Sequence, residues 1–134
     1  MTSPDSKTSA AATWAGRILG ALVILLLLAD SAVNLMAPQL LARSMEETGF
    51  APGQSSLIGA ILLACVVLYA IPATRVLGAI VVTGFLGGAI CTHFRMGDLA
   101  SPPQIASLLI GVAAWASIYL CTPALRPLFP LARQ

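Results

Sequence analysis

The chain is 134 residues long, 58% apolar and only 9% charged, with a formal net charge of +2 and a mean hydropathy of +0.93. Water-soluble domains carry about 45–50% apolar residues, so an ordinary soluble globular domain is excluded. The basic residues are scattered along the chain, with no patch to track a phosphate backbone, which excludes a nucleic-acid partner.

Four apolar runs fill most of the length, at about 16–36, 56–71, 76–94 and 104–121. A membrane-spanning helix needs about 20 mainly apolar residues, and the second run is the shortest of the four. The expected fold is all-α: a four-transmembrane-helix bundle over 14–122, preceded by a disordered cytoplasmic segment, 1–13, and followed by a cytoplasmic tail, 123–134. Only short segments are left between the runs, with no room for a soluble catalytic domain.

The first run also has the form of a secretory leader. Lys7 and Arg17 precede an unbroken apolar stretch, and Ala29 and Ser31 are small residues suited to a cleavage site. Three similar runs follow, however, and apolar character resumes after Asp30 through Val33, Leu35 and Met36. The first run is therefore expected to remain as a span.

Between the first two runs lies a segment with structure of its own. Pro38 suits the first turn of a helix and Gly49 its C-terminal end. Leu40, Leu41 and Met45 interleave with Arg43, Glu46 and Glu47. The pattern predicts a short amphipathic helix lying on the outer face, with Arg43 paired to Glu46 or Glu47 at helical spacing.

Charge sets the expected orientation. Lys7, Arg17, Arg75, Arg126 and Arg133 fall on one side of a four-span chain, and only Arg43 and Arg95 on the other. The positive-inside rule then puts both termini in the cytoplasm, for a multi-pass protein of the inner (plasma) membrane. Trp14, Tyr69, Trp115 and Tyr119 fall toward the same side, as an interfacial aromatic belt would.

Small residues mark expected helix contacts. Gly16 with Gly20, and Gly84 with Gly88, have the four-residue spacing that lets backbones approach in lipid. Gly78, Gly87 and Ala89 add to the third run. These contacts are expected within the chain, a homodimer interface being the alternative. Gly84-Phe-Leu-Gly-Gly88 is not a nucleotide loop, since no strand precedes it.

An ionisable residue inside a span is costly and marks a functional hypothesis. Asp30 lies about 20 Å along the first helix from Arg17, in its outer half, with Asn34 one turn later on the same face. His93 ends the third run, followed by Arg95 and Asp98. The expected cluster at the outer mouth comprises Asp30, Asn34, His93 and Arg95, with Asp98 nearby and Asp30 paired to His93 or Arg95. Such a cluster either holds the helices together or binds a polar head group or relays a proton, since histidine titrates near neutrality.

Other chemistries fail on counting. One histidine and three cysteines without a C-x-x-C pair do not make a zinc site. Cys65, Cys91 and Cys121 fall at different depths, and Cys91 and Cys121 near opposite faces, too far apart for a disulfide. Cys91 and His93 point to nearly opposite sides of a helix, so they form no nucleophile–base pair. No Gly-x-Ser-x-Gly elbow occurs.

Several stretches resemble the DoxX-like family of small bacterial integral membrane proteins. They are Trp14-Ala-Gly-Arg17, Ala29-Asp-Ser-Ala-Val-Asn-Leu-Met36, the Leu68-Tyr-Ala-Ile-Pro72 exit, and the 76–89 region. Gly87-Gly-Ala-Ile-Cys-Thr-His-Phe-Arg-Met-Gly-Asp98 is the strongest of them, and Trp115 with the Pro123-to-Pro130 tail completes the likeness. The resemblance implies a four-helix membrane bundle, with Asp30, His93, Arg95 and Asp98 at recurrent polar positions. Some relatives in the wider group are linked to quinone-coupled sulfur oxidation or thiol redox complexes. The missing paired-cysteine motif argues against disulfide exchange here. The expected role is accessory or ligand-binding rather than enzymatic, with the lipid bilayer and a membrane protein as partners and no bound cofactor. The alternative is a membrane subunit of a quinone-linked redox complex, with a redox partner protein.

Overall fold

The computed structural model describes residues 9–51 and 53–128. Lys7 and Arg133, part of the charge argument, lie outside the described residues, as do 1–8 of the N-terminal segment and 129–134 of the tail. Five α-helices follow one another: α1 (Ala10–Met36), α2 (Pro38–Glu47), α3 (Gln54–Ala70), α4 (Arg75–Arg95) and α5 (Pro102–Cys121). Short 3-10 segments occupy Pro72–Thr74 and Pro123–Leu128. Residues 10–13, expected outside the helical domain, form the first turn of α1, where the Ser9 side chain caps Ala12 N–H at 3.2 Å.

Proline sets most of the breaks. Ala37, Ile71, Ser101 and Thr122 each precede a proline and leave the helical region, because a proline ring disfavours α geometry in the residue before it. Pro38 and Pro102 then open α2 and α5, where a missing N–H costs nothing. Ser101 and Gln104 add a reciprocal capping box to α5.

The four apolar helices form an up-and-down bundle in which α1 adjoins α3 and α5, and α4 adjoins α3 and α5. The helices α1, α4 and α5 are each long and apolar enough to cross a membrane; α3, with 17 residues, is a shorter apolar helix. On α1, Gly16, Gly20, Val23, Leu27, Ser31 and Asn34 are buried, recurring every three or four residues. This face packs α1 into the bundle along its length. Leu22, Leu25, Ile80, Leu108 and Leu109 are exposed on the outside, as a lipid-facing surface requires.

Lipid is as apolar as leucine, so close packing and hydrogen bonds between helices hold such a bundle. Glycine makes the closest approaches. A Cβ on Gly59 would strike Asn34 and Leu35 of α1, one on Gly78 the backbone of Tyr69, and one on Gly16 the Cys121 and Leu120 side chains. Polar links accompany them: Ser31 Oγ donates to Gly59 O (2.9 Å), Ser117 Oγ to Gly16 O (2.7 Å) and Tyr69 Oη to Ala114 O (3.0 Å). Tyr69 is thus fully buried at a helix junction and is not part of an interfacial belt, whereas Trp14 is 62% exposed.

Gly84 and Gly88 correct the expected packing motif. A Cβ at either position, or at Gly87, would meet nothing within 4 Å. The close contact on α4 lies instead at Gly78, where α4 leaves the turn and runs back along α3. The three cysteines are free, Cys65 buried and Cys91 exposed.

Candidate functional site

The ends of α2 and α4 are built alike. Thr48 ends α2 and Gly49 follows at φ +77°, a left-handed conformation that costs glycine little. Gly49 N–H then bonds Glu46 O and Phe50 N–H bonds Met45 O, which closes a Schellman motif. At the end of α4, Gly97 sits at φ +84°, with Gly97 N–H on Phe94 O and Asp98 N–H on His93 O. That second motif folds Asp98 back onto the helix, and its carboxylate comes to 3.5 Å from His93 Nδ1. Arg95 Nη2 donates to Thr48 O (3.0 Å), the carbonyl of the residue that caps α2, and so ties α2 across the end of the bundle to α4.

The expected amphipathic helix is present as the ten residues of α2. Arg43 and Glu47 pair on its exposed side at 2.8 Å, a contact of little energetic weight.

Asn34 organises the other side of this end. It is buried, its Nδ2 donates to Asp30 O (2.9 Å) and Asp30 Oδ1 (3.2 Å), and its Oδ1 accepts from Ser55 Oγ of α3 (3.0 Å). The amide therefore orients the Asp30 carboxylate and joins α1 to α3.

Between these two constructions lies a cavity of about 460 Å³. Asp30, Asn34 and His93 give it a polar side; Leu41, Met45 and Phe85 give it an apolar one. Gly84 and Gly88 also line it. Their missing side chains leave its volume open. No residue of α4 beyond Leu86 is buried, and in α5 only Gln104 is buried before Ala114. The two helices are packed at the end that carries the chain termini and looser toward α2. A second, more apolar groove of about 570 Å³ runs between them past Gly87 and Gly111, and shares Ser107 with the cavity.

The structure places Asp30, Asn34 and His93 on one cavity, and Arg95 and Asp98 beside it as ties. The expected pairing of Asp30 with His93 or Arg95 is corrected. Asp30 bonds Asn34, His93 meets Asp98, and Arg95 holds Thr48. The reason is topological. Helices α1 and α4 run parallel but are diagonal in the bundle, and their backbones make no direct contact. The cavity occupies the space between them. The roles of Ser55 and of the capping glycines Gly49 and Gly97 in shaping this end were not anticipated beyond Gly49 itself. The Gly97-Asp98 pair, four and five residues after His93, is the available signal.

A bundle of apolar helices with a lipid-facing exterior and a polar cavity at one end defines a helical membrane protein. The model of the DoxX-like family matches residues 18–117, and the chain belongs to that family. No curated protein and no solved structure matches the chain.

Proposed function

We propose that the chain spans the inner membrane four times and binds an amphiphilic ligand at the α2 end of the bundle, in an accessory and non-catalytic role. One observation carries the reading: a cavity of about 460 Å³, held open by glycines, whose lining joins Asp30 and His93 to an apolar wall. Ligand sites are mostly apolar cavities with a few convergent polar groups, and ionisable groups at membrane depth mark ligand or proton pathways. The polar group of the ligand sits against Asp30, Asn34 and His93, and its apolar part against Leu41, Met45 and Phe85.

Four spans are supported by length. The 17 residues of α3 reach about 25 Å, at the short end of the spanning range. Orientation is supported by charge. Arg17, Arg75 and Arg126 lie toward the chain termini, Arg43 and Arg95 toward α2, which puts the termini in the cytoplasm and α2 outside.

The test is mass spectrometry of lipids extracted from the protein purified in mild detergent, for the natural chain and for Gly88→Leu. One amphiphile enriched over the bulk membrane lipids, and lost in Gly88→Leu with the melting temperature kept, is the expected result. An extract that mirrors the bulk membrane, or a variant that retains the species, overturns the reading. A quinone as the enriched species selects the redox-subunit alternative, with Asp30 and His93 handling its protons and a partner protein its electrons.

A further inference from the structure

The opposite end of the bundle holds a charge that the cavity near α2 does not use. Arg75 opens α4, and its side chain crosses the diagonal toward α1. Its Nη2 donates to Ser117 Oγ (2.8 Å), its Cζ lies 5.2 Å from the Tyr69 ring centroid, and the bare backbone of Gly20 leaves room for the guanidinium. Ser117 Oγ in turn donates a hydrogen bond to Gly16 O. Every one of these partners is neutral, and the buried Arg75 Nε has no hydrogen-bond acceptor among the described residues.

Beside this guanidinium opens a cleft of about 420 Å³, lined by Arg17 and Arg75 together with Thr13 and Thr122. Among the described residues the carboxylates are Asp30, Glu46, Glu47 and Asp98, all at or near the α2 end. The nearest along α1, Asp30, is 13 residues from Arg17, or about 20 Å. Two cations therefore face one cleft, with no described carboxylate to neutralise them.

A guanidinium withdrawn from water is costly until an anion meets it. Its planar fork suits phosphate oxygens in pairs, and basic pockets between membrane helices take phosphate head groups. We propose that this cleft binds a phosphate-bearing anion, held between the Arg17 and Arg75 guanidinium groups with the Thr13 and Thr122 hydroxyls as further donors. Two sources share this chemistry: the head group of an anionic phospholipid entering from the bilayer, and a soluble phosphate at the membrane surface.

The experiment is thermal unfolding of the delipidated full chain in detergent, with dioleoylphosphatidylglycerol, dioleoylphosphatidylcholine or inorganic phosphate added in turn. Phosphatidylglycerol is expected to raise the melting temperature at concentrations where phosphatidylcholine does not. Arg17→Gln is the principal variant, because Arg17 is exposed and among the described residues stacks on Trp14 at 5.7 Å, so its loss should leave the fold intact. It should weaken the response about tenfold, the equivalent of one charge-assisted hydrogen bond. Arg75→Lys, which keeps the charge and loses the fork, should weaken it as well. A shift reproduced by inorganic phosphate assigns the cleft to a soluble anion, and a shift with phosphatidylglycerol alone assigns it to a lipid head group. No shift with either, or an undiminished shift in Arg17→Gln, overturns the proposal.

Discussion

Asn34 carries more of the α2 end than a single amide suggests. It orients Asp30 along α1 and receives Ser55 from α3, so two helices and a carboxylate depend on it. Asn34→Ala leaves the Ser55 hydroxyl buried with only the Asn34 backbone carbonyl, 3.1 Å away, as acceptor. A buried polar group that loses its partner costs about 1–3 kcal/mol; thermal unfolding in detergent should show a loss at the lower end of that range. Asp30→Asn should behave differently. Asp30 has no cationic partner among the described residues, and the substituted amide oxygen still accepts from Asn34. The melting temperature should therefore stay within a few degrees, while retention of the bound amphiphile on purification falls. A large loss of stability in Asp30→Asn would show that the carboxylate is structural.

Among the elements, the glycines divide into two sets that the same kind of substitution separates. Gly59→Leu forces α3 away from Asn34 and Leu35, and Gly78→Leu forces α4 away from the Tyr69 backbone. Overpacking of this kind costs about 1–3 kcal/mol or more. Gly84→Leu meets open space and should leave the melting temperature nearly unchanged while filling the cavity. Equal destabilisation by all three would mean that the cavity is not open in the folded protein. Gly49 tests the α2 tie. Gly49→Ala places a Cβ on a residue at φ +77°, a cost of about 1–2 kcal/mol. The loosened cap should speed amide hydrogen exchange at Phe50, a donor that closes the Schellman motif, with α1 and α5 unaffected.

For the whole molecule, the decisive relation is the diagonal between α1 and α4. Toward α2 it is filled by a cavity, and toward the chain termini by Arg75 and Tyr69. One bundle thus presents a polar, partly acidic opening at one end and a basic cleft at the other. The orientation proposed from charge puts the first opening outside and the second at the cytoplasmic face. Reporter fusions after Ala51 and after Gln134 check it: the first should report an external location and the second a cytoplasmic one. An external report after Gln134 would reverse the orientation and with it the side from which each opening is reached.

Much of the architecture was legible in the residues. Four apolar runs had to become helices in lipid, and Pro38 and Gly49 delimit α2 in the sequence itself. The likeness at Ala29–Met36 and Gly87–Asp98 led to the family. What could not be read was which helices touch. In water the buried face of a helix is its apolar face, so the hydrophobic period names it. In lipid the outer face is as apolar as the inner one, and that signal is lost. Asp30 and His93 share one cavity, but each takes a partner close to it in sequence, Asn34 and Asp98. Gly84 and Gly88 have the spacing of a packing motif, yet they open a cavity, because spacing does not say what stands opposite. Tyr69 has the position of an interfacial residue near a helix end, and only packing turns it inward. The sequence by itself determined the solvent, the helices and their breaks; the tertiary structure alone decided the neighbours, and with them where charge is buried and where space is left.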